Sequence, residues 1–368
     1  MATLVSAAIR DGHDTVWTDG SHGHDGDGGG TTGAGVATSG KEDGMTHTPG
    51  SFGGIRPVLH LPFGSGSMQP IVHAELRALV ETMLSAGVDG LVVLGLASEA
   101  WTLREPERDE VVRSTIDAIG GRVPLVVGVD GSTSVAIDRA QRAASAGAMG
   151  LMVLPPAGAR TTSQLVDHYA ELADAARVPI LVQDSPQVTG VTLSIEALVA
   201  IADRHPLVRS LKVEIPGAGA KTSAAHDAGI EIVAGWGGLG YLESVTRGAT
   251  GCMPGCDLGP ALLAIDRMAR RGDLAAADGL YRQILPYLAS VAQSLDLLLL
   301  AAKRHLRRAG IFSGEGLRRP ARSLDAIEAA TIDGLLDRLA ADAVPGFAPT
   351  MPTAGAAGTG AVGRQASC

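Results

Sequence analysis

From Gly53 onward, short apolar runs alternate with longer amphipathic segments, and this alternation constrains the fold more than any other feature of the sequence. Strands that alternate with helices predict βαβ units and a parallel sheet. Aromatic residues make up only 3% of the chain, so its core must be built from Val, Leu, Ile and Ala, which suits parallel strands buried on both faces. The predicted strands are Ile55–His60, Gly90–Leu94, Leu125–Val129, Leu151–Leu154, Ile180–Gln183, Val208–Val213, Glu231–Ala234 and Gly251–Met253.

A short repeat marks the points where predicted helices give way to strands. Ala86–Leu91 and Ala146–Leu151 share the pattern Ala-Gly-x-x-Gly-Leu, which Arg247–Cys252 echoes. In each copy we expect a glycine to close a helix in the left-handed conformation, with a strand beginning about three residues later. The predicted helices are Ala74–Ser85, Glu107–Ile119, Val135–Ser145, Ser163–Ala176, Ile195–Arg204, Gly219–Ala228 and Leu239–Arg247, with more over Leu274–Arg308 and Leu324–Ala341.

Eight predicted strands over about 200 residues favour a closed (β/α)8 barrel over a doubly wound sheet. No Gly-x-Gly-x-x-Gly follows the first strand, which argues against a dinucleotide-binding fold. We predict a Gly/His/Asp-rich tail over 1–52, the barrel over 53–270, a C-terminal helical extension over 271–345 and an Ala/Gly-rich tail over 346–368. Both tails carry too little apolar surface to offset the entropy of ordering, so we expect them to be disordered.

The charge and cysteine content exclude several classes of function. A net charge of −9 argues against nucleic acid and anionic membrane surfaces as partners, since both require clustered Lys and Arg. The sequence contains no run of about 18 or more uncharged apolar residues, so no transmembrane span is predicted. Three cysteines in a long chain do not suit a disulfide scaffold and fit a reducing cytoplasm.

In a (β/α)8 barrel the active site lies at the carboxyl ends of the strands, which directs attention to Lys212 near the end of the sixth. Lysines are almost never fully buried without a purpose. Burial disfavours the ammonium form of a lysine, and the neutral amine is a nucleophile toward a ketone. The spacing alone also allows Lys212 to point outward toward a helix, or to pair with Glu214.

Several segments of the chain match one family pattern in order. They are Leu61–Phe63, Gly87–Gly95 with Glu99, Val123–Gly128, Ala146–Pro156, Pro186–Gly190 and Gly248–Gly251. Through them, the chain from about Gly53 to Leu339 resembles the dihydrodipicolinate synthase/N-acetylneuraminate lyase family, and Lys212 falls where the family's Schiff-base lysine falls. The resemblance implies a (β/α)8 class I lyase that condenses or cleaves 2-oxo acids through that lysine, without a cofactor or a metal. It also implies a homo-oligomer, either a dimer or a tetramer.

The chain departs from the family pattern where the family's Thr/Tyr/Tyr proton relay would stand. Leu96–Ala97 replace the Thr-Thr pair, and Gln183–Asp184 replace the Tyr-Asn that precedes a proline. Ala157–Gly158 replace the Tyr-Tyr pair, which removes the tyrosine that a neighbouring subunit lends. Val188 stands where dihydrodipicolinate synthases carry an arginine for a second carboxylate. These departures argue against a role in lysine biosynthesis.

Schiff-base chemistry still needs a base for the carbon next to the imine, and two carboxylates are candidates. Glu214 lies two residues after Lys212 and points the same way along the strand, whereas Asp184 is expected at the pocket rim. The resemblance implies that the N–H groups of Ala97 and Ser98 hold a substrate carboxylate, with the Ser98 hydroxyl as a further donor. Gln183, at the position of the family's tyrosine, is expected to contact the substrate.

Other residues near the strand ends receive structural roles. Met253 and Trp236 are expected to form an apolar wall of the pocket, and Glu99 to act as an acceptor that orients its loop. We expect His60 to be a core or rim histidine with its hydrogen bonds satisfied. Cys252 and Cys256 have no third or fourth metal ligand nearby, so buried thiols are expected.

The sequence therefore predicts a lyase that acts on a 2-oxo acid. Aldol cleavage, condensation of pyruvate with an aldehyde, and dehydration of a 2-keto-3-deoxy acid all pass through the same imine. Small residues at Ala157–Gly158 suggest room for a bulky or apolar aldehyde. A non-catalytic relative that only binds a 2-oxo acid is the alternative. A phosphate-sugar barrel enzyme, using Gly235–Gly238 as a phosphate cradle, is a weaker third hypothesis.

Overall fold

The computed structural model describes residues 50–215 and 217–347, so most of both predicted tails, 1–49 and 348–368, lies outside the described residues. Within the described part, eight parallel strands form one sheet in the order β1-β8-β7-β6-β5-β4-β3-β2. The strands are β1 Gly54–Ile55, β2 Leu91–Val93, β3 Leu125–Val129, β4 Gly150–Val153, β5 Ile180–Asp184, β6 Ser210–Val213, β7 Glu231–Ala234 and β8 Gly251–Cys252.

Backbone contacts beyond β1 close this sheet into a barrel. Val58 forms parallel bridges to Val92 in β2 and to Gly255 beyond β8. The N–H of Leu59 donates to the carbonyl of Val92 at 2.8 Å, and the N–H of Val92 donates to that of Pro57 at 3.0 Å. The first strand is therefore hydrogen-bonded on both sides, which confirms the predicted (β/α)8 barrel.

Helices follow every strand and form the outer layer, as βαβ units require. Three further helices follow the barrel in the sequence. The helices are α1 His73–Ala86, α2 Glu105–Ile119, α3 Thr133–Ala146, α4 Thr162–Ala176, α5 Pro186–Thr189, α6 Ile195–Arg204, α7 Gly219–Asp227, α8 Tyr241–Thr246, α9 Gly259–Arg270, α10 Leu274–Val291, α11 Leu295–Arg308 and α12 Ala326–Ala341.

The repeated glycine turns behave as the sequence predicts. Gly87 ends α1 with φ 79° and Gly147 ends α3 with φ 107°, both in the left-handed conformation. Gly248, after α8, has φ 94°. Each glycine turns the chain from a helix into the next strand, where a residue with a Cβ atom would be strained.

Most predicted bounds differ from the structure by one or two residues, and those of the first strand differ most. β1 covers Gly54–Ile55 rather than Ile55–His60, because Pro57 has no N–H for the ladder and only the Val58 bridge continues it. Two or three helices are predicted over Leu274–Arg308 and Leu324–Ala341, and the structure has three, because Ser294 caps α11 by accepting the N–H of Leu297 at 3.2 Å and so divides the first segment in two.

Alternate residues of the strands divide the core into two layers. Inward-facing side chains fill the barrel, and outward-facing ones such as Val93 and Val127 pack against the helices. Arg56 fills the amino end, where its Nε donates to the carbonyl of Gly53 at 2.9 Å. The interior cluster includes Val58, Val92, Val126, Met152, Leu181, Val233 and Met253. The amino end of the barrel is thus closed by packing, which leaves the carboxyl end for chemistry.

Replacing Gly128 in β3 by alanine should destabilise the fold strongly. A Cβ atom there would lie 2.1 Å from the carbonyl oxygen of Leu94, a backbone atom that cannot move away cheaply. We expect a loss of about 3 kcal/mol or more in the free energy of unfolding, measured by urea titration. As a control, Gly279→Ala in α10 meets nothing within 4 Å and should gain about 0.5–1 kcal/mol. Equal stability of the two variants would contradict this packing.

Candidate active site

Lys212 lies in β6 at the carboxyl half of the barrel and is only 3% exposed. In the strand register it stands between Gln183 of β5 and Val233 of β7, and Val233 belongs to the interior cluster. Its Nζ lies 2.9 Å from Oε1 of Glu214. Of the two alternatives to a catalytic role, an outward-pointing lysine does not occur. The structure shows the ion pair with Glu214, inside the barrel.

Glu214 is held by three donors in addition to being buried. Its Oε2 accepts from Nε2 of Gln183 at 2.6 Å, and its Oε1 accepts from the N–H of Trp236 at 3.4 Å. Burial alone would raise the pKa of Glu214, but Lys212, Gln183 and the Trp236 N–H outweigh it and hold the pKa below its ordinary value. The carboxylate is therefore ionised at neutral pH and can accept a proton.

Gly235 makes room for this carboxylate. A Cβ atom at Gly235 would lie 2.3 Å from Cγ of Glu214, so any side chain there would displace the glutamate. The glycine at the end of β7 and the glutamate at the end of β6 thus form one packed unit. The Gly235–Gly238 loop houses the carboxylate of Glu214. The negative charge of that carboxylate would repel a phosphate, which argues against the phosphate cradle that the sequence also allows.

Asp184 is placed away from Lys212 and Glu214. It follows Gln183 in β5, and consecutive side chains of a strand point to opposite faces, so Asp184 faces the helical layer. Its Oδ2 accepts from Nζ of Lys221 in α7 at 2.5 Å. Burial raises the pKa of Asp184, and Lys221 opposes that shift. Of the two candidate bases, the structure brings only Glu214 together with Lys212.

The turn after β2 contains both residues that the resemblance assigns to a substrate carboxylate. Ala97 is buried against the interior cluster, and Ser98 is fully buried. The Ser98 hydroxyl donates to the carbonyl of Leu59 at 2.6 Å, and its N–H donates to that of Gly95 at 3.1 Å. The hydroxyl of Ser98 therefore holds the turn against the first strand, and its N–H closes the turn itself.

Glu99 fixes this turn to the C-terminal helices through a buried ion pair. Its carboxylate accepts from Nζ of Lys303 in α11 and from the N–H of Arg318, the latter at 2.8 Å. Both side chains of the ion pair are 1% exposed. Sequence reasoning missed Lys303, although it lies three and four residues after Leu300 and Leu299, on the apolar face of α11. A lysine on such a face was the available signal.

Met253 and Trp236, the residues predicted to form an apolar wall, directly follow β8 and β7. Met253 is 1% exposed and belongs to the interior cluster. Trp236 adopts a positive φ of 49°, and its indole N–H donates to the carbonyl of Ala292 at 3.0 Å. The tryptophan therefore ties the end of β7 to the end of α10.

The expectation that His60 has its hydrogen bonds satisfied is wrong. Its side chain is fully buried, yet neither ring nitrogen has a hydrogen-bond partner among the described residues. Burial, and then the charge of Lys303, lower the pKa of His60 to about 3. A hydrophobic pattern could not have predicted that the two ring nitrogens lack partners, because their surroundings are formed by segments far apart in the sequence.

Within residues 50–215 and 217–347, no group of three or more His, Cys, Asp or Glu side chains is arranged to hold a metal ion. Burial raises the pKa of the Cys252 and Cys256 thiols, so both remain protonated. No helix in the same part of the chain is both long and apolar enough to cross a membrane.

Comparison with known proteins adds a decisive observation to this geometry. The Dihydrodipicolinate synthetase family matches residues 51–338, which is most of the chain. The chain belongs to this family. It is accordingly a lyase, as its named relatives are.

Two curated relatives show the range of activities within the Dihydrodipicolinate synthetase family. The L-2-keto-3-deoxyarabonate dehydratase of Azospirillum brasilense is 31% identical over 276 residues, covering 73% of this chain and 88% of the relative. The 4-hydroxy-tetrahydrodipicolinate synthase of Acidothermus cellulolyticus is 29% identical over 275 residues, covering 72% and 86%. One relative is a dehydratase and the other a synthase.

Solved structures of family members share the fold at low identity. Dihydrodipicolinate synthase from Rhodopseudomonas palustris has a TM-score of 0.73 and 24% identity, covering 80% of this chain and 100% of that one. A prophage protein of E. coli K12, solved in complex with pyruvate, has a TM-score of 0.72 and 24% identity, covering 78% and 98%. These likenesses concern the fold.

Removing one partner of the Glu99–Lys303 pair should be costly. Glu99→Gln leaves an ammonium group that is 1% exposed without its counter-charge, and we expect a loss of about 3–5 kcal/mol in the free energy of unfolding. Asp278→Asn is the control, because its pair with Arg282 is 51% and 70% exposed and should contribute less than about 1 kcal/mol. Urea unfolding of both variants measures the difference, and similar losses would disprove the structural role of the buried pair.

Proposed function

We propose that this family member forms a Schiff base between Lys212 and a 2-oxo acid, and that it dehydrates a 2-keto-3-deoxy acid or cleaves or forms an aldol bond to pyruvate. The observation that carries this proposal is a lysine inside the barrel with its Nζ 2.9 Å from an ionised carboxylate. A buried amine beside a base is what imine formation requires. The family membership of the chain supports the same chemistry.

Glu214 is the proposed proton carrier. Its carboxylate takes a proton from the Lys212 ammonium, and the neutral amine adds to C2 of the 2-oxo acid. Protonated Glu214 gives its proton to the hydroxyl of the carbinolamine, which leaves as water, so the imine forms and Glu214 is ionised again. Glu214 next removes a proton from C3, which gives the enamine. In a dehydratase the enamine expels the C4 hydroxyl, which takes that proton from Glu214 and leaves as water; in an aldolase the enamine attacks an aldehyde carbon, and the aldehyde oxygen takes the proton. Hydrolysis of the imine frees Lys212.

The remaining residues receive positioning roles. Gln183 orients Glu214 through the 2.6 Å hydrogen bond and lies beside Lys212 in the register. We assign the substrate carboxylate to the turn at Ala97 and Ser98, and the apolar wall to Met253. Asp184 is assigned a structural role, because it pairs with Lys221.

Dehydration of a 2-keto-3-deoxy sugar acid is the reaction we favour over lysine-biosynthetic condensation. The Azospirillum brasilense relative carries that activity in its name. The tyrosines of the relay and the arginine for a second carboxylate are replaced here, the latter by Val188, which is 42% exposed.

We also propose a cytoplasmic homo-oligomer, a dimer or a tetramer. Lys212, Gln183 and Glu214 come from one chain, so a neighbouring subunit need not supply this proton carrier.

Trapping with borohydride tests the Schiff base. Incubation with pyruvate and sodium borohydride should attach a reduced pyruvyl group to the protein, and peptide mapping should place it on Lys212. Lys212→Ala should lose the adduct while Lys221 and Lys303 stay unmodified, because Lys221 pairs with Asp184 on the outer face of the sheet and Lys303 is buried against Glu99. A wild-type protein that yields no adduct on Lys212 rules out the proposed chemistry.

Glu214→Gln should separate imine formation from turnover. The variant keeps the lysine but loses the base, so the borohydride adduct should still form on Lys212, more slowly because Glu214 also deprotonates Lys212, while kcat for a 2-keto-3-deoxy acid falls about 10²–10⁴-fold. Asp184→Asn is the matched control: it should lower the melting temperature through its lost pair with Lys221 and leave kcat within about tenfold of wild type. If Asp184→Asn abolishes turnover and Glu214→Gln does not, the roles must be exchanged.

A further inference from the structure

We propose that His60 hydrogen-bonds a hydroxyl group of the substrate, and that it selects hydroxylated 2-keto-3-deoxy acids over 2-oxo acids that lack the hydroxyl. The inference rests on the proposed function, since it concerns the substrate of the same site. It is carried by a buried imidazole at the carboxyl end of the barrel whose two nitrogens have no partner among the described residues.

The backbone around β1 fixes the direction of this ring. The N–H of Val58 donates to the carbonyl of Pro254 at 2.7 Å, and Val58 also bridges to Gly255, so the chain is extended here. Side chains alternate along an extended chain, so His60 shares the face of Val58. Val58 packs in the interior cluster with Met253, and His60 therefore faces the interior one step nearer the carboxyl end.

Gly255 confirms that placement from the neighbouring strand. A Cβ atom at Gly255 would lie 3.0 Å from Cε1 of His60, so the ring lies against backbone at the end of β8. Lys212 also occupies the carboxyl half of the barrel, on β6, three strands away by way of β8 and β7. His60 and Lys212 thus both face the interior of the barrel at its carboxyl end.

The charge state of His60 defines the ligand chemistry. Burial and the nearby Lys303 ammonium keep the ring neutral at physiological pH, with its pKa lowered to about 3. A neutral imidazole offers one N–H donor and one nitrogen acceptor. A hydroxyl group offers both a donor and an acceptor, whereas a carboxylate or a phosphate would bring a charge that a neutral ring does not match. A hydroxyl group of the substrate is therefore the fitting partner.

The energetic cost of the unpartnered nitrogens supports a ligand role. A buried polar atom without a partner destabilises a fold, and such atoms are rare in native proteins. A leucine at position 60 would have a similar volume and would avoid that cost. Relative to leucine, His60 is therefore favourable only when a ligand supplies a hydrogen-bond partner for the ring. The same cost makes a hydrogen-bonding site reject a ligand that lacks the group it was built for.

The test compares two acids of the same chain length by borohydride trapping on Lys212: L-2-keto-3-deoxyarabonate and 2-oxopentanoate. In wild type, half-maximal trapping should need at least about tenfold less of the hydroxylated acid. His60→Leu should reduce that preference about tenfold or more and leave the trapping of 2-oxopentanoate unchanged. His60→Asn, which keeps a donor and an acceptor, should retain part of the preference.

His168→Leu is the matched control, because His168 is also buried and its Nε2 has no partner in the part of the chain that the structure describes, but it lies on α4 in the outer layer. It should leave the preference as in wild type. The melting temperature of His60→Leu should equal or exceed that of wild type, and a fall would show that the protein itself satisfies the ring. An unchanged preference in His60→Leu contradicts this inference alone, whereas a wild-type protein that traps neither acid contradicts the Schiff base as well.

Discussion

The buried ion pair of Lys212 and Glu214 is the interaction on which the site depends. Removing two charges from water is costly, and an apolar barrel repays that cost only when each charge is closely partnered. Here Glu214 accepts from Lys212, Gln183 and the Trp236 backbone, three groups supplied by three adjacent strands or their ends. The ion pair itself lies along one strand, and the two neighbouring strands supply the other two donors that Glu214 needs.

A second buried ion pair explains why the C-terminal helices belong to the site. Glu99 and Lys303 are 204 residues apart in the sequence, and their contact holds the turn at Ala97 and Ser98 against α11. Lys303 also lies over the ring of Phe63, at 4.4 Å from its centroid, and its charge helps to keep His60 neutral. The helices beyond the barrel therefore set the position of one loop and the charge state of one side chain at the carboxyl end.

Local patterns in the sequence predict most of the fold. The alternation of apolar runs and helical segments places eight strands, and the glycines at Gly87 and Gly147 mark helix ends that the structure confirms. The bounds of the first strand fail because a single residue, Pro57, changes the hydrogen bonding. Such breaks depend on atoms that hydrophobic periodicity does not register.

The site is predicted only in part, and the division has a physical cause. Strand periodicity places Glu214 on the same face as Lys212, and it would equally have placed Asp184 on the opposite face from Gln183. The partners of Lys303 come from distant segments of the chain. Whether the ring nitrogens of His60 find a partner also depends on distant segments, and among the described residues they find none. A pattern within one element carries no information about such contacts.

A crystal structure of the borohydride-reduced complex with a 2-oxo acid tests the central claim most directly. Our account predicts a covalent bond from Nζ of Lys212 to C2 of the ligand. It also predicts that Glu214 keeps its hydrogen bond to Gln183 and faces C3 of the ligand. A ligand attached to Lys221 or Lys303, or one bound while Lys212 stays unmodified and paired with Glu214, would contradict it.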